Sequence, residues 1–289
     1  MPLPWTSVPN RLVPAPGGPA VPHPGPPRPV LAVLLTCLVA VLAGCAASES
    51  MPAQPTPAPG DVRPVAVTDT ELAGLPEAST FGDVPDAPVD PAPHDPGTGT
   101  VVRAHAEVPV YGEPGGAPVA RLPERQLGSP TWLPVVDRAG DWLQVLLPSR
   151  PNGSTGWLHA DDDLEEAGND FLVTVDLADF ALTVTREGEE IGRWTVGVGS
   201  AEAPTPTGRT FVMASIQETV TDFSPYTLPL GAHSDTHQTY AGGPGTVAIH
   251  GWPDGTPFGT ETSDGCVRVP DDALDLLITL PLGTVVLVR

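Results

Sequence analysis

The chain has 289 residues, room for one large or two modest domains, and its 39 prolines crowd before residue 100, so it is not globular throughout. It carries 13 basic residues, all arginine, against 35 Asp and Glu, a formal net charge of −22. A chain this acidic is a poor nucleic-acid ligand, because neutralising phosphate needs clustered cations; it suits solubility at an anionic surface instead.

The charge is unevenly spread. Residues 1–45 hold Arg11 and Arg28 and no acidic residue. After Arg28 comes the apolar run Val30–Ala43, VLAVLLTCLVAVLA. It is short for a membrane span, which needs roughly 20 apolar residues, and fits the apolar core of a signal peptide. The run ends Leu42-Ala43-Gly44-Cys45, which resembles a bacterial lipoprotein cleavage motif: a branched apolar residue, two small residues, and the cysteine that becomes the lipidated N-terminus. An ordinary secretory leader with a chance cysteine is the alternative. Met1–Pro29 is an odd prelude, so either the leader is long or the true start lies later. Export implies a place at the outer face of the cytoplasmic membrane, anchored by lipid on Cys45. Cys37 then leaves with the leader and Cys45 is acylated. Cys266 alone remains in the exported body, with no partner for an intramolecular disulfide. A lone thiol outside the cytoplasm is exposed to oxidants, which disfavours keeping it without a use.

Residues 46–98 are dominated by Pro, Ala, Asp and Gly and read as a disordered tether, extended and partly polyproline, because so few apolar groups cannot support a core. From 99 to 166 short apolar segments alternate with turn signals such as Pro-Gly-Gly and Pro-Asn-Gly, predicting a small all-β unit. The elements VYGEPGG, GDWLQV and TGWL are similar to bacterial SH3-like domains, which implies a small barrel. Trp132, Trp142 and Trp157 are read as core more readily than as a ligand platform.

Residues 170–289 form the second unit. Alternation places Val173, Val175 and Leu177 on one strand face and Leu182 and Val184 on another. A strand is expected over Thr246–His250, an amphipathic helix over Asp271–Leu280 with acidic residues in its first turn, and a closing strand over Gly283–Val288. The fold class is therefore mainly β, with a short helix after the nucleophile described next.

His250-Gly251 ends one strand, and 16 positions after His250 comes Cys266, inside Ser263-Asp264-Gly265-Cys266-Val267-Arg268. The thiolate, not the thiol, is the nucleophile, and an ordinary cysteine with a pKa of about 8.5 is little ionised at neutral pH, so it needs a base within reach. A histidine on a neighbouring strand supplies one. Gly265 lets the backbone and its amides approach a substrate carbonyl and stabilise an oxyanion. Arg268 is placed to hold the loop or attract a carboxylate.

The order PTPTGRTF, GTVAIHG, SDGCVRV, short helix, LGTVVLV resembles the L,D-transpeptidase (YkuD-type) catalytic domain over about 120 residues. The resemblance implies a nucleophile at Cys266, a general base at His250, and orienting or oxyanion roles for Gly251, Ser263, Asp264, Gly265 and Arg268. It implies no cofactor, peptidoglycan stem peptides as substrates, and carbapenem-type β-lactams as inhibitors. In that family the cysteine attacks the amide after the third stem residue, D-alanine leaves, and the acyl group passes to an amine of a neighbouring stem, giving a 3→3 cross-link. Two departures stand out. The residue before Gly-Cys is usually histidine and is Asp264 here, whose charge raises the thiol pKa; the His-to-Cys interval is also short. A slower first step or a different acceptor follows from them.

His233-Ser234-Asp235-Thr236-His237 has an i, i+4 histidine spacing, but Leu-Pro-Leu-Gly and Gly-Gly-Pro-Gly flanks argue for a loop over a substrate cleft rather than a metal-binding helix. Tyr240 and Trp252 are candidate cleft-wall aromatics. Three functions stay open: transpeptidase, carboxypeptidase in which water resolves the same thioacyl intermediate, and a non-catalytic wall-binding lipoprotein.

Overall fold

The computed structural model describes residues 62–160, 162–219, 223–240 and 242–289. The leader, the Cys45 motif and residues 46–61 lie outside the described residues.

The first element among the described residues is a short helix, α1 (Asp69–Ala73). Thr68 caps it: its hydroxyl accepts the Glu71 N–H at 3.3 Å, and the Glu71 carboxylate accepts the Thr68 N–H at 2.8 Å. Nine strands follow: β1 (Thr100–Ala104), β2 (Val108–Tyr111), β3 (Pro118–Leu122), β4 (Arg125–Gln126), β5 (Ser129–Pro130), β6 (Leu133–Ala139), β7 (Trp142–Leu146), β8 (Thr155–His159) and β9 (Leu164–Gly168). Seven of them form one sheet in the order β3-β2-β8-β7-β6-β1-β9, and β4 pairs β5.

All five residues of β7 are buried, so both faces of this strand are covered. The cover is the segment expected to be a free tether. Residues 62–98 lie across this sheet. Ala78 N–H donates to the Arg121 carbonyl at 2.8 Å, Val84 N–H to Arg150 at 2.8 Å, and Asp90 N–H to Gly153 at 2.7 Å. Trp142 Nε1 donates to the Val62 carbonyl at 2.8 Å, and the Thr155 hydroxyl to the Pro88 carbonyl at 3.0 Å. Ala78 and Val84 are fully buried. The tether reading is therefore corrected for residues 62–98. They lack apolar residues of their own to make a core, but they contribute a few to a core that the sheet provides. Trp142 is wholly buried, while Trp132 and Trp157 are half-buried.

The C-terminal half holds β10 (Phe171–Asp176), β11 (Ala181–Arg186), β12 (Glu189–Thr195), β13 (Val198–Gly199), β14 (Gly208–Phe211), β15 (Ile216–Gln217), β16 (Tyr226–His233), β17 (Thr246–Gly251), β18 (Glu261–Ser263), β19 (Val267–Val269), α2 (Asp271–Leu277) and β20 (Val285–Val288). One sheet runs β12-β11-β10-β20-β14 and a second β15-β16-β17-β19, with β13 paired to β18. Val173, Val175, Leu182, Val184, Ile249, Val267, Val269 and Val286 meet between them in one core. Each aliphatic side chain so buried contributes about 1.5–3 kcal/mol. The helix is shorter than its apolar pattern suggests, ending at Leu277; Ala273, Leu274 and Leu277 face the core. Leu177 lies just past the end of β10 and packs on the same core. The fold is mainly β.

The two halves share a core. Phe211 and Met213 pack with Leu133, Leu143 and Leu158 of the N-terminal sheet. Arg209, 1% exposed at its side chain, donates from Nε and Nη2 to both oxygens of Asp90 at 2.6 Å each.

Candidate active site

The site is built on β17 and β19, which run parallel with Ile249 opposite Val267 and His250 opposite Arg268. That register sets Cys266, at the head of β19, beside Ala248. His250 follows Ala248 by two residues on the same strand face, about 7 Å along a parallel strand. His250 and Cys266 both line a cavity of about 470 Å³. Cys266 is half-buried and is the free cysteine of the described residues.

His250 is 8% exposed. Its Nδ1 lies 2.8 Å from the Gly251 carbonyl, which only accepts, so Nδ1 carries the proton and Nε2 is left as the basic nitrogen. Burial holds the imidazole pKa below the ordinary histidine range; the Gly251 bond opposes this and the Arg268 cation reinforces it. The ring is thus neutral at pH 7 and ready to accept a proton. Gly251 cannot carry a side chain without crowding: a Cβ there would meet the Ser224 hydroxyl at 3.0 Å and Leu274 at 3.3 Å.

Burial pushes the Cys266 thiol above the ordinary cysteine range. A hydrogen bond from the Ala248 backbone and the Arg268 cation pull it down, and the Asp264 carboxylate pushes it up. The turn before the thiol is held by Ser263, whose hydroxyl accepts the Gly265 N–H at 3.2 Å and donates to the Cys266 carbonyl at 2.5 Å. Gly265 has φ of +110°, a conformation that L side chains rarely adopt, so glycine is required there. Arg268 lies over the Trp252 ring at 3.9 Å and donates to the carbonyl and hydroxyl of Thr262 at 3.3 Å each.

Residues 170–288 match the family model of the YkuD L,D-transpeptidase catalytic domain. This segment is what the chain shares with that family. Solved structures that resemble the chain include an L,D-transpeptidase from Mycobacterium smegmatis, 15% identical over 71% of this chain and 95% of that one, with a TM-score of 0.36. The NMR structure of the catalytic domain of the Enterococcus (E. faecium) L,D-transpeptidase is 22% identical over 42% of this chain and 98% of that one, with a TM-score of 0.33. L,D-transpeptidase 3 from Mycobacterium tuberculosis, in complex with a faropenem-derived adduct, is 15% identical over 57% of this chain and 76% of that one, with a TM-score of 0.36. A comparison with curated proteins finds no match.

Within residues 170–288, Asp264, Arg268, Tyr240 and Trp252 line the same cavity as His250 and Cys266. His233 and His237 part company. His233 ends β16, is fully buried, and its Nε2 lies 2.7 Å from the Thr80 carbonyl and 3.2 Å from the Thr80 hydroxyl. His237 sits in the loop between β16 and β17, with Nε2 3.7 Å from Asp264 Oδ1. Among the described residues no group of three or more His, Cys, Asp and Glu is placed to hold a metal.

Several site residues have no signal in the local sequence. The Phe223 ring packs edge-on against His250 at 5.0 Å, and the Ser224 hydroxyl accepts the Gly251 N–H at 2.7 Å while donating to the Tyr226 carbonyl at 2.6 Å. Phe223 thus packs on the base, and Ser224 holds the backbone of the residue that follows it. Arg150, from the loop between β7 and β8, donates through Nη2 to the carbonyls of Ser234, His237 and Pro244 at 3.3, 3.4 and 3.0 Å. Asn152 pairs with the His233 backbone in both directions, at 2.7 and 2.8 Å. The loop that carries His237 and Tyr240 is thus held from outside the catalytic domain.

Proposed function

We propose that this chain is a cysteine L,D-transpeptidase that forms 3→3 cross-links in peptidoglycan. The observation that carries the reading is the tautomer of His250: Nδ1–H is committed to the Gly251 carbonyl, so Nε2 is the free base in the cavity that holds the Cys266 thiol. A raised thiol pKa beside a neutral imidazole fits proton transfer at the moment of attack rather than a resting thiolate. In the first half, His250 takes the thiol proton, sulfur attacks the carbonyl after the third stem residue, and the tetrahedral oxyanion faces the glycine turn. The C–N bond breaks as His250 returns the proton to the D-alanine amine. In the second half an amine of another stem attacks the thioester, the C–S bond breaks, and the thiol is restored.

The reading extends to the anchor. Leu42-Ala43-Gly44-Cys45 supports a lipid on Cys45 and a place at the outer face of the cytoplasmic membrane. The β unit over 99–166, with its resemblance to SH3-like domains, is proposed to work beside the catalytic domain on wall peptides.

The test is intact mass after incubation with a carbapenem, whose strained amide mimics the scissile one. One adduct is expected on wild type, located to Cys266, and none on Cys266→Ala. Incubation with a disaccharide-tetrapeptide should give cross-linked dimers with wild type only. Dimers from Cys266→Ala would overturn the mechanism, and tripeptide as the sole wild-type product would make the enzyme a carboxypeptidase. For the anchor, Cys45→Ala should shift the protein out of the membrane fraction; wild type without lipid on residue 45 would refute it.

A further inference from the structure

Asp264 occupies the position before the glycine of the nucleophile turn, with its carboxylate in the catalytic cavity. For acylation it is a liability, because its charge pushes the Cys266 thiol up and opposes the thiolate. That opposition ends when sulfur becomes a neutral thioester, and the carboxylate then faces the second substrate. It has capacity to spare. Its neighbours are the Tyr240 hydroxyl, whose pKa it helps to raise, and His237 Nε2, which at 3.7 Å is too far for a hydrogen bond. A carboxylate offers about four lone-pair sites. Its side chain is 53% exposed, so a ligand can reach it. The cavity's cation lies elsewhere: Arg268 is stacked on Trp252 and bonded to Thr262, not to Asp264. Tyr240 and His237 sit on the loop that Arg150 holds, which fixes the carboxylate's neighbours in place.

We propose that Asp264 is the binding residue for the ammonium group of the acceptor stem, presenting the amine to the Cys266 thioester. The inference rests on the transpeptidase reading above and names the group that selects its second substrate. The acceptor arrives as a cation drawn to Asp264 and loses one proton to solvent. The free amine, still hydrogen-bonded to the carboxylate, attacks the thioester carbonyl. The new C–N bond forms, the C–S bond breaks, and the second amine proton passes through His250 to sulfur. Because the same attraction also favours the unreactive ammonium form, the benefit appears in acceptor KM.

The experiment uses the full chain, a disaccharide-tetrapeptide donor, and a tripeptide stem with a side-chain amine as the added acceptor. Asp264→Asn is expected to raise acceptor KM and lower the dimer-to-tripeptide ratio, each by about tenfold, the scale of one charge-assisted hydrogen bond. Its acylation by a carbapenem should be faster than wild type, since the opposing charge is gone. Asp264→Glu, which restores the carboxylate, should recover most of the ratio. Raising ionic strength should raise acceptor KM for wild type and leave the Asn variant flat. An unchanged KM and ratio in Asp264→Asn would overturn the proposal, as would failure of that variant to acylate. Absence of any carbapenem adduct on wild-type Cys266, or hydrolysis alone by wild type, would instead sink the transpeptidase reading itself.

Discussion

The strap over residues 62–98 and the β17–β19 ladder lie in one compact unit yet are held by different forces. The ladder is apolar along its length; Val247, Ile249, Val267 and Val269 are buried by the sheet opposite. The strap has two fully buried apolar residues, Ala78 and Val84, and otherwise depends on backbone bonds to strands far along the chain and on the Asp90–Arg209 pair. A segment poor in apolar residues can thus be ordered when another element supplies the surface and the partners. The same contrast separates the site. His250 and Cys266 come from the ladder, while the loop facing them is clamped by Arg150 from the β7–β8 loop.

The largest effect should come from the ladder's chemistry. His250→Ala is expected to slow acylation by about 10²–10⁴-fold, the range for a positioned acid–base group. The melting temperature should stay close to wild type, because the ring packs at the cavity wall. A stopped-flow acylation rate within tenfold of wild type would remove His250 from the mechanism.

Breaking the strap should do the reverse. Asp90→Ala takes the bidentate partner from buried Arg209 and leaves it the Asp95 carbonyl at 3.2 Å and the Asp95 carboxylate at 3.7 Å, which destabilises by about 3 kcal/mol. Denaturant unfolding should show that loss, and limited proteolysis should open the 62–98 strap first. The acylation rate of the protein that remains folded should change far less than in His250→Ala. A midpoint unchanged from wild type would mean that the pair contributes nothing to holding the strap.

Arg150→Ala probes the link between the two regions. Losing its bonds to three loop carbonyls should destabilise residues 234–244 by about 1–3 kcal/mol. Faster amide exchange confined to that loop is expected, together with poorer acceptor use, since Tyr240 and His237 would no longer hold their places beside Asp264. Exchange identical to wild type would break the link.

The smallest effect is in pH. His250 titrates below the ordinary histidine range, so the neutral base is present at pH 6.5 and is lost only as the pH falls through that lowered pKa. Cys266 titrates above its ordinary range, so the thiol persists through neutral pH. Acylation should therefore be level through neutrality, with an acid limb below pH 6.5. An acid limb centred above pH 7 would contradict the burial assigned to His250.

Much of the catalytic half was legible because its strands alternate strictly and its turns carry glycine and proline. A Cys–Gly turn downstream of a His–Gly strand end is a local signal, and Trp252 and Tyr240 stood close enough in sequence to be noticed. Phe223, Ser224, Arg150 and Asn152 were not legible, since no periodicity marks a residue that acts by touching another element. His233 and His237 share one motif, yet one anchors the strap through Thr80 and the other faces the cavity.

By itself the sequence determined the net negative charge, the apolar run over Val30–Ala43, the β-rich class, and the identity and order of His250 and Cys266, because each depends only on residue type and spacing. Tertiary structure alone decided that residues 62–98 cover the N-terminal sheet, that Arg150 reaches the catalytic loop, and that Asp264 faces Tyr240 and His237. Those contacts join positions tens of residues apart, and only the shared burial of both halves brings their donors and acceptors within reach.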